Sequence, residues 1–298
     1  MRHMRILQYV DEVARTGSIR SAAARLHVTA SAVNRRIMDL EDELGAPLFE
    51  RKARGVRLTA AGEVFVRYVR AQGADLERTR SHIEDLRGQR RGTVRIACSQ
   101  ALAFDFMPRM IADFRKRHPE VDFDVRVLDH INATAELVNY GVDLALVFRP
   151  PPDAAVQSLM AIEQRLVVMM AERHPLSGRR TVRLRDCASY PIVLPDRSFG
   201  GRQLLEEVWA RSSLELRITG ESNSFEFLRG MVRHAGALSF QIEIGTEGGN
   251  SQGIVARPID GRDIPRAKLV LAQLRGRSLP LASAVFAEEL TRAMEKRA

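Results

Sequence analysis

The first 45 residues of the chain carry apolar side chains in three short groups at helical spacing. Ser18 and Thr29 stand just before the second and third groups, where each can cap a helix, and Gly45 follows the third group. Ala22 and Ala23 are small enough to let two helices approach closely. The pattern predicts three short helices in a compact helix-turn-helix arrangement.

A basic turn lies between two short apolar segments after the third predicted helix. Residues 48–50 and 56–58 flank this turn, which consists of Arg51, Lys52, Ala53, Arg54 and Gly55. Two short strands around such a turn are typical of a β-hairpin. The sequence therefore predicts a small wing beside the three helices.

The next segment, from Thr59 to about Arg87, has no proline and carries one apolar stripe. Its positions alternate in spacing between three and four: Phe65, Tyr68, Gln72, Leu76, Thr79, Ile83 and Leu86. A single long helix with one apolar stripe needs a partner, and the same helix from a second copy is the simplest one. We therefore expect Phe65, Leu76 and Ile83 to hold a dimer; an ordinary surface helix packed on its own domain is the alternative.

Beyond Gly92 the pattern changes to short apolar runs that alternate with helical segments. The runs typical of strands include residues 94–98, 144–148 and 166–170. We also expect a helix from Ala133 to Tyr140 and a strand from Leu216 to Thr219. Such alternation indicates an α/β fold with parallel sheets, and because it occurs twice it predicts two similar lobes.

The charge of the chain adds a class of partner to this picture. Lys and Arg number 46 against 37 Asp and Glu, which gives a net charge of +9 and a pI of about 10.3. Such a protein favours an anionic partner such as nucleic acid or acidic lipid. No apolar run reaches the roughly 18 residues that span a bilayer. The N-terminus also lacks a secretory pattern, since Asp11 and Glu12 follow its short apolar stretch, so we expect a cytoplasmic protein.

Enzymatic and metal chemistry have no sequence signature in this chain. Cys98 and Cys187 stand far apart, without metal-ligand spacing, and are too few for a disulfide scaffold. The sequence contains no HExxH, phosphate-binding loop or GxSxG motif. We therefore expect neither an enzyme nor a cofactor or metal site.

The predicted helices and hairpin coincide with a family pattern. Residues 17–63, GSIRSAAARLHVTASAVNRRIMDLEDELGAPLFERKARGVRLTAAGE, strongly resemble the DNA-binding half of LysR-type transcriptional regulators. Later segments resemble the effector-binding half of the same family: VRIACSQALAFDFMPRMIADFRKRHPEV, GVDLALVF, RHPLSG, LRGMVRHAGAL and LVLAQLRGRSLPLASAVFAEEL. The resemblance implies a winged helix-turn-helix, a dimerising linker helix, and a two-lobed domain like periplasmic binding proteins that holds a small co-inducer. Members of the family usually act on DNA as tetramers.

The expected fold class is thus α/β with an all-α winged helix-turn-helix at the N-terminus. We expect the DNA-binding domain at residues 1–58, the linker helix and hinge at 59–91 and the effector-binding domain at 92–298. Within the last domain, lobe I is expected at about 92–162 and 266–298, and lobe II at about 163–265.

The third predicted helix supplies the candidate DNA contacts. If it lies in the major groove, the face opposite Val33 and Ile37 meets DNA. Asn34 can then contact adenine and Arg35 guanine, while the other basic residues neutralise phosphates. The predicted set is Ser31, Asn34, Arg35, Arg36, Arg51, Lys52 and Arg54. A solvated surface in an arginine-rich protein is the alternative.

The loops at the carboxyl ends of the strands supply the candidate effector contacts. Helix N-termini at such loops present unpaired N–H groups that suit anions. The predicted set is Ser99, Gln100, Asn132, Thr134, Arg149, Ser198, Phe199, Asn223 and Ser224. We expect a small anion there, a carboxylate or an aromatic acid. The alternative is that the polar side chains only cap helices and that Arg149 is a solvated loop residue.

These expectations converge on a sequence-specific, DNA-binding transcriptional regulator whose activity is modulated by a small anionic effector. Its expected partners are double-stranded DNA with an inverted-repeat site, the effector, further copies in a homodimer or homotetramer, and RNA polymerase, with no membrane. One alternative is an architectural DNA-binding protein with a ligand-free oligomerisation domain. A solute-binding protein is disfavoured by the missing export signal and by the wing arginines.

Overall fold

The structure of the chain is a computed structural model that describes residues 3–53, 55–86, 92–246 and 253–297. The chain folds into two compact units, Met1–Arg80 and Ser81–Ala298. The first unit is built mainly from helices, and the second combines helices with sheets.

The first unit begins with the three short helices that the apolar pattern predicts. Its elements are α1 (His3–Thr16), α2 (Ile19–Arg25), α3 (Ala30–Leu44), β1 (Phe49–Lys52), β2 (Gly55–Leu58) and residues 60–80 of α4 (Ala60–Leu86). The side chain of Ser18 caps α2 and that of Thr29 caps α3, each accepting a backbone N–H at 3.3 Å. Gly45 ends α3 with φ 65°, a left-handed conformation that glycine adopts without strain. Local sequence signals therefore fix both ends of α3.

A small apolar core joins these helices to the hairpin. It consists of Val10, Val13, Ala22, Ala23, Val33, Ile37, Leu48 and Val66, all of them buried. Gly62 on α4 lies against the wing so closely that an added Cβ atom would stand 2.0 Å from the carbonyl oxygen of Leu48. Only glycine permits this approach of α4 to the hairpin.

The described residues of the second unit form three sheets. The first has the strand order β4-β3-β5-β12-β6 and is formed by β3 (Gly92–Cys98), β4 (Val121–Val127), β5 (Leu144–Phe148), β6 (Val156–Gln164) and β12 (Ala267–Leu274). Its helices are α5 (Gln100–Ala103), α6 (Phe106–Arg117), α7 (His130–Val138) and α11 (Leu281–Glu295). We refer to this sheet with its helices as the first lobe.

The second lobe contains the intervening part of the chain. Its elements are β7 (Leu166–Ala171), α8 (Leu184–Cys187), β8 (Ile192–Pro195), α9 (Gly200–Trp209), β9 (Ile218–Ser222), α10 (Phe225–Ala235), β10 (Ser239–Ile242), a 3-10 turn (Glu243–Thr246) and β11 (Ile254–Pro258). β7 lies between β10 and β11, and β8 pairs with β9. The carbonyl oxygen of Leu238 accepts the Val193 amide at 2.9 Å, which joins the two groups of strands. Buried side chains from both lobes belong to one continuous core.

The expectation of parallel sheets is only partly met. β3 runs parallel to β4 and β5, but β12 is antiparallel to β5 and β6, and β10 and β11 are antiparallel to β7. β6 and β10 are not among the strands that the sequence predicts. The chain leaves the first lobe through β6 and returns to it through β12. Tertiary pairing rather than local pattern sets the direction of the antiparallel strands.

Two predicted elements have wrong boundaries. α7 starts at His130 rather than Ala133, because the Asp129 side chain accepts the amides of Ile131 and Asn132 and so caps the helix earlier. β9 starts at Ile218 rather than Leu216.

Candidate functional sites: the basic helix face and the cleft between the lobes

Helix α3 divides sharply into a buried and an exposed face. Val33 and Ile37 are buried in the core of the first unit. Ser31, Arg35 and Arg36 are exposed. The side chains predicted to meet DNA on α3 are thus free of the core, apart from Asn34, which is half-buried.

The wing contacts α3 through one of these side chains. Arg51 on β1 donates from Nη2 to Oδ1 of Asn34 at 3.3 Å, and the amide of Asn34 lies 3.4 Å from the sulfur of Met38. Lys52 pairs with Glu50 at 3.1 Å on the exposed hairpin. Arg54 lies outside the described residues. The structure therefore brings one wing residue and one helix residue of the predicted DNA-binding set, Arg51 and Asn34, into contact.

Sequence reasoning missed Glu41, which holds the hairpin to α3. Its Oε1 accepts the amides of Leu48 and Phe49 at 2.6 and 3.0 Å. These two amides begin the hairpin, so one carboxylate on α3 fixes where the wing starts. An acidic residue near the end of a helix gives no such signal by itself.

Helix α4 leaves part of its predicted apolar stripe uncovered in a single chain. Phe65 packs partly buried against the core of the first unit, and Leu76 is half-buried. Tyr68 and Ile83 of the stripe are 53 and 47% exposed, and Val64, which lies outside it, is 71% exposed. The dimer interface through Phe65, Leu76 and Ile83 stays a prediction.

In the second unit, the residues that follow β3 contact the opposite lobe. Gln100 of the first lobe accepts the amide of Phe225 of the second lobe at 2.8 Å. The hydroxyl of Ser99 accepts the amide of Phe148 at 3.3 Å within its own lobe. Gln100 thus lies at the contact between the lobes, and both predicted residues are already hydrogen-bonded to protein groups.

Arg149 spans the cleft by an ion pair. Its Nη2 donates to the two carboxylate oxygens of Glu207 on α9 at 2.8 and 3.1 Å. Its other terminal nitrogen, Nη1, is buried without a hydrogen-bond partner among the described residues. Arg149 is therefore more than a solvated loop residue, although its partner here is a protein carboxylate.

The loop before α9 lies against the first lobe. The Ser198 amide donates to Asp196 at 2.8 Å, and the Phe199 ring lies 5.4 Å from that of Phe225. An added Cβ atom on Gly200 would stand 2.7 Å from the carbonyl oxygen of Phe148. Glycine at this position lets the N-terminus of α9 touch the other lobe.

The loop before α10 matches the helix-cap alternative. The hydroxyl of Ser224 accepts the Phe227 amide at 3.2 Å and caps α10, and Asn223 is exposed.

Asn132 and Thr134 do not precede a helix as predicted, because both lie inside α7. The Asn132 side chain donates to the carboxylate of Asp129. Thr134 is buried, and its hydroxyl donates to the carbonyl oxygen of His130 at 2.7 Å. Neither residue opens a helix at the cleft, so the prediction for these two loop positions was wrong in its geometry.

His130 and Gln241 are buried polar residues at the lobe contact that sequence reasoning missed. His130 is 6% exposed, and burial lowers its pKa, with Asp129 opposing that shift. Gln241 donates to the carbonyl oxygens of Ala101 and Gly245 at 3.3 and 2.7 Å. A lone histidine or glutamine in a sequence gives no sign that two lobes meet on it.

The described residues offer little other chemistry. Burial raises the pKa of Cys98 and that of Cys187 to about 12, so both thiols stay protonated and unreactive. Within the described ranges, no three His, Cys, Asp or Glu side chains form a group that could hold a metal ion. None of the described helices combines the length and apolar character needed to cross a bilayer.

Comparison with known proteins decides the family. The family model of the bacterial regulatory helix-turn-helix protein, lysR family, matches residues 4–63, and that of the LysR substrate binding domain matches residues 87–295. The RuBisCO operon transcriptional regulator of Allochromatium vinosum is 31% identical over 289 residues, which cover 96% of this chain and 94% of that protein. The chain belongs to the LysR family of transcriptional regulators.

Solved structures of LysR-type regulators share the fold. A full-length OxyR variant from Pseudomonas aeruginosa is 21% identical with a TM-score of 0.72, and the match covers 96% of this chain and 94% of that one. Full-length CbnR complexed with its target DNA is also 21% identical, with a TM-score of 0.56 and coverage of 97% and 99%.

Membership of the LysR family gives the two units their roles. LysR-type regulators bind DNA and small-molecule effectors and oligomerise, and the family is not enzymatic. The resemblance seen in the sequence is therefore confirmed, as are the fold class and the regulatory function. An architectural protein with a ligand-free domain is not favoured, because residues 87–295 match a substrate-binding domain.

Proposed function

We propose that this LysR-type regulator reads an inverted-repeat DNA site with α3 and its wing, and that a small anion bound between the lobes changes its activity. The contact between Arg51 of the wing and Asn34 of α3 is the observation that supports the DNA-binding part of this proposal. It places helix and wing on one surface, beside the exposed Arg35 and Arg36. Such a surface fits a major groove and the phosphates at its edge.

Within this surface, α3 reads bases and the flanking cations bind phosphates. Ser31, Asn34 and Arg35 lie along the part of α3 that follows its N-cap. Arg35 makes the two-point contact to guanine, and Asn34 makes the equivalent contact to adenine once Arg51 turns to a phosphate. Arg36, Lys52 and Arg54 add phosphate contacts that do not depend on sequence.

The regulator acts as a homodimer or homotetramer whose subunits pair through α4. The exposed Val64, Tyr68 and Ile83 support this, since an uncovered apolar helix face favours a second copy. A two-fold dimer matches an inverted-repeat site. We place the protein in the cytoplasm, with RNA polymerase as the further partner through which transcription changes.

The domain limits also remain a proposal. We assign residues 1–58 to DNA binding, 59–91 to the linker helix and hinge, and 92–298 to effector binding. The end of β2 at Leu58 and the start of β3 at Gly92 support these limits. Residues 87–91 of the hinge lie outside the described residues.

The effector is a small carboxylate or aromatic acid bound in the cleft. Arg149 supports an anion, because one of its guanidinium nitrogens is buried and unbonded within the described structure. The neighbouring rings of Phe199 and Phe225 supply an apolar wall. Ser99, Gln100 and Ser198 are the polar groups that orient the ligand.

Footprinting tests this function as a whole. The purified full chain is placed on the DNA upstream of its own reading frame, with and without metabolite acids and their uncharged amides. We expect a salt-dependent footprint over an inverted repeat whose pattern changes with an acid but not with its amide. A footprint that no acid alters, or that only cations or neutral compounds alter, would contradict the anionic effector.

A melting experiment adds a second readout on the same protein. An effector at 100 times its dissociation constant stabilises the fold by about 2.7 kcal/mol. Ser99→Ala and Ser198→Ala should each reduce that stabilisation while the DNA affinity stays unchanged. Equal stabilisation in both variants would remove these two residues from the site.

A further inference from the structure

Arg149 and Glu207 form an ion pair whose two halves belong to different lobes. Arg149 directly follows β5 of the first lobe, and Glu207 lies in the last turn of α9 in the second. One guanidinium nitrogen donates to both carboxylate oxygens, at 2.8 and 3.1 Å. The pair is thus a direct link across the cleft in the state that the structure shows.

The backbone presents the guanidinium to the cleft. Arg149 has φ 55°, the left-handed region that a residue with a Cβ atom enters only at a cost. Its amide donates to the carbonyl oxygen of Lys268 at 2.9 Å, which holds this conformation. The side chain is 27% exposed, so Arg149 is fixed at its base and largely enclosed.

Helix α9 is fixed against the same residue. Gly200, its first residue, is buried, and a Cβ atom added there would stand 3.3 Å from the Cβ atom of Arg149. The side chain of Glu207, two turns later, is by contrast 51% exposed. It can therefore turn to water at small cost, whereas Arg149 is held at its backbone and is the more enclosed of the two side chains.

The donors of Arg149 are unevenly used. Nη2 serves Glu207 alone, and Nη1 is buried without a hydrogen-bond partner in the described parts of the chain. A carboxylate ligand bonds best to a guanidinium by two parallel hydrogen bonds from two nitrogens. Glu207 uses only one nitrogen, so its contact is weaker than the one that an incoming carboxylate can make.

From these contacts we propose that Glu207 is a built-in competitor for the effector. Its carboxylate holds the guanidinium of Arg149, and a carboxylate effector binds by replacing it. This inference rests on the proposed anionic effector and adds its regulation. Binding then exchanges an ion pair between the lobes for one between protein and ligand, which couples occupancy of the cleft to the contact of the two lobes.

The chain contains a convenient reporter for this exchange. Trp209 is the only tryptophan and stands two residues after Glu207, at the end of α9. Its fluorescence in the full chain can follow titration with benzoate, an aromatic carboxylate, and with benzamide, its uncharged counterpart. Equilibrium dialysis of labelled benzoate measures the same binding directly.

Glu207→Gln should bind benzoate about twofold to fivefold more tightly than the native chain, as expected for release of a partly exposed ion pair. Arg149→Gln should weaken benzoate at least about tenfold, and benzamide binding should change in neither variant. Glu288→Gln is the matched control, because it breaks an exposed Arg–Glu pair on α11 and should leave benzoate affinity unchanged.

The double variant Arg149→Gln with Glu207→Gln separates competition from a general charge effect. If Glu207 acts through Arg149, the double variant binds benzoate as weakly as Arg149→Gln alone. A gain in the double variant equal to that of Glu207→Gln would overturn the proposal. So would unchanged or weaker benzoate binding in Glu207→Gln, or no benzoate binding by any variant.

The footprint distinguishes these failures from failure of the proposed function. All variants should retain the native footprint in the absence of ligand. A native footprint that changes with some acid, together with unchanged affinity in Glu207→Gln, would reject the competitor and keep the regulator. Loss of any acid response in the native chain would instead reject the anionic effector itself.

Discussion

The DNA-binding unit and the effector-binding unit differ in what their candidate residues do before any partner arrives. On α3, Arg35 and Arg36 point away from a core made of their helix neighbours. In the cleft, Gln100 and Arg149 are already bonded to groups of the opposite lobe. In the proposed function, the first surface is already open to DNA, whereas the second exchanges internal contacts for ligand contacts.

This difference has an energetic meaning. A preformed surface loses little free energy to reorganisation when it binds DNA, so its affinity depends on charge and on direct base contacts. A site that exchanges contacts gains only the difference between the old and the new ones, and that difference can drive a change in the lobes. The DNA-binding unit is therefore suited to recognition and the effector-binding unit to switching.

The largest effect is expected from a charge on α4, which should change DNA binding but not ligand binding. Leu76→Glu should place an unpaired charge in the predicted helix pair, cost several kcal/mol of dimer stability and give monomers. Binding to the inverted repeat should fall steeply, while benzoate binding in the cleft stays unchanged. Sedimentation and footprinting measure both effects. Gly73→Glu, off the stripe on the same helix, is the control. An intact dimer in Leu76→Glu would show that the interface lies elsewhere.

Two glycines of α4 test how tightly the first unit is built. Gly62→Ala should destabilise it by about 1–3 kcal/mol, because the new methyl group meets the backbone of Leu48. Gly73 has no heavy atom within 4 Å of an added Cβ atom, so Gly73→Ala should stabilise the helix by about 0.5–1 kcal/mol. Denaturant melts of both variants should shift in opposite directions; equal shifts would contradict the close approach of α4 to the wing.

Base reading and phosphate binding can be separated on α3. Arg35→Ala should cost on the order of 1–3 kcal/mol on the footprinted site and relax base choice. Arg36→Ala should weaken all sequences alike and reduce the dependence of affinity on salt. Competition with altered sites at two salt concentrations measures both properties. If the two variants behaved alike, the assignment of Arg35 to bases would fail.

The smallest expected effect concerns the buried histidine at the lobe contact. Burial lowers the pKa of His130, so the unfolded chain takes up a proton more readily than the folded one. Stability of the second unit should therefore decrease as the pH falls below the ordinary histidine value of about 6.5. His130 faces Asp129, which opposes the shift, and Arg149, which adds to it.

The pH dependence of the melting temperature measures this contribution. His130→Gln should make that temperature less sensitive to pH between about pH 7.5 and pH 5. His234→Gln, at an exposed position in the last turn of α10, serves as the control for the loss of a histidine from this lobe. A steeper fall in His130→Gln than in the native chain would contradict the sign of the shift.

The sequence by itself determined the elements whose signals are local. Ser18, Thr29 and Gly45 fix helix ends through bonds to residues close in sequence, and apolar periodicity fixes which face of α3 is buried. For this reason the helix-turn-helix and the face of α3 that carries the DNA-contact candidates could be predicted. The strand at residues 144–148 was equally clear, because all five of its side chains are buried.

Tertiary structure alone decided the contacts between residues distant in sequence. Nothing near Glu41 indicates that it will hold the hairpin, and nothing near Arg149 points to Glu207, which lies 58 positions away. The start of α7 shifted because the carboxylate of Asp129 captured two amides, a choice made by side-chain geometry. Apolar periodicity shows which side of a helix or strand is buried. The partner of a polar group depends instead on how the lobes pack. An unpaired polar group becomes costly only when the folded chain buries it.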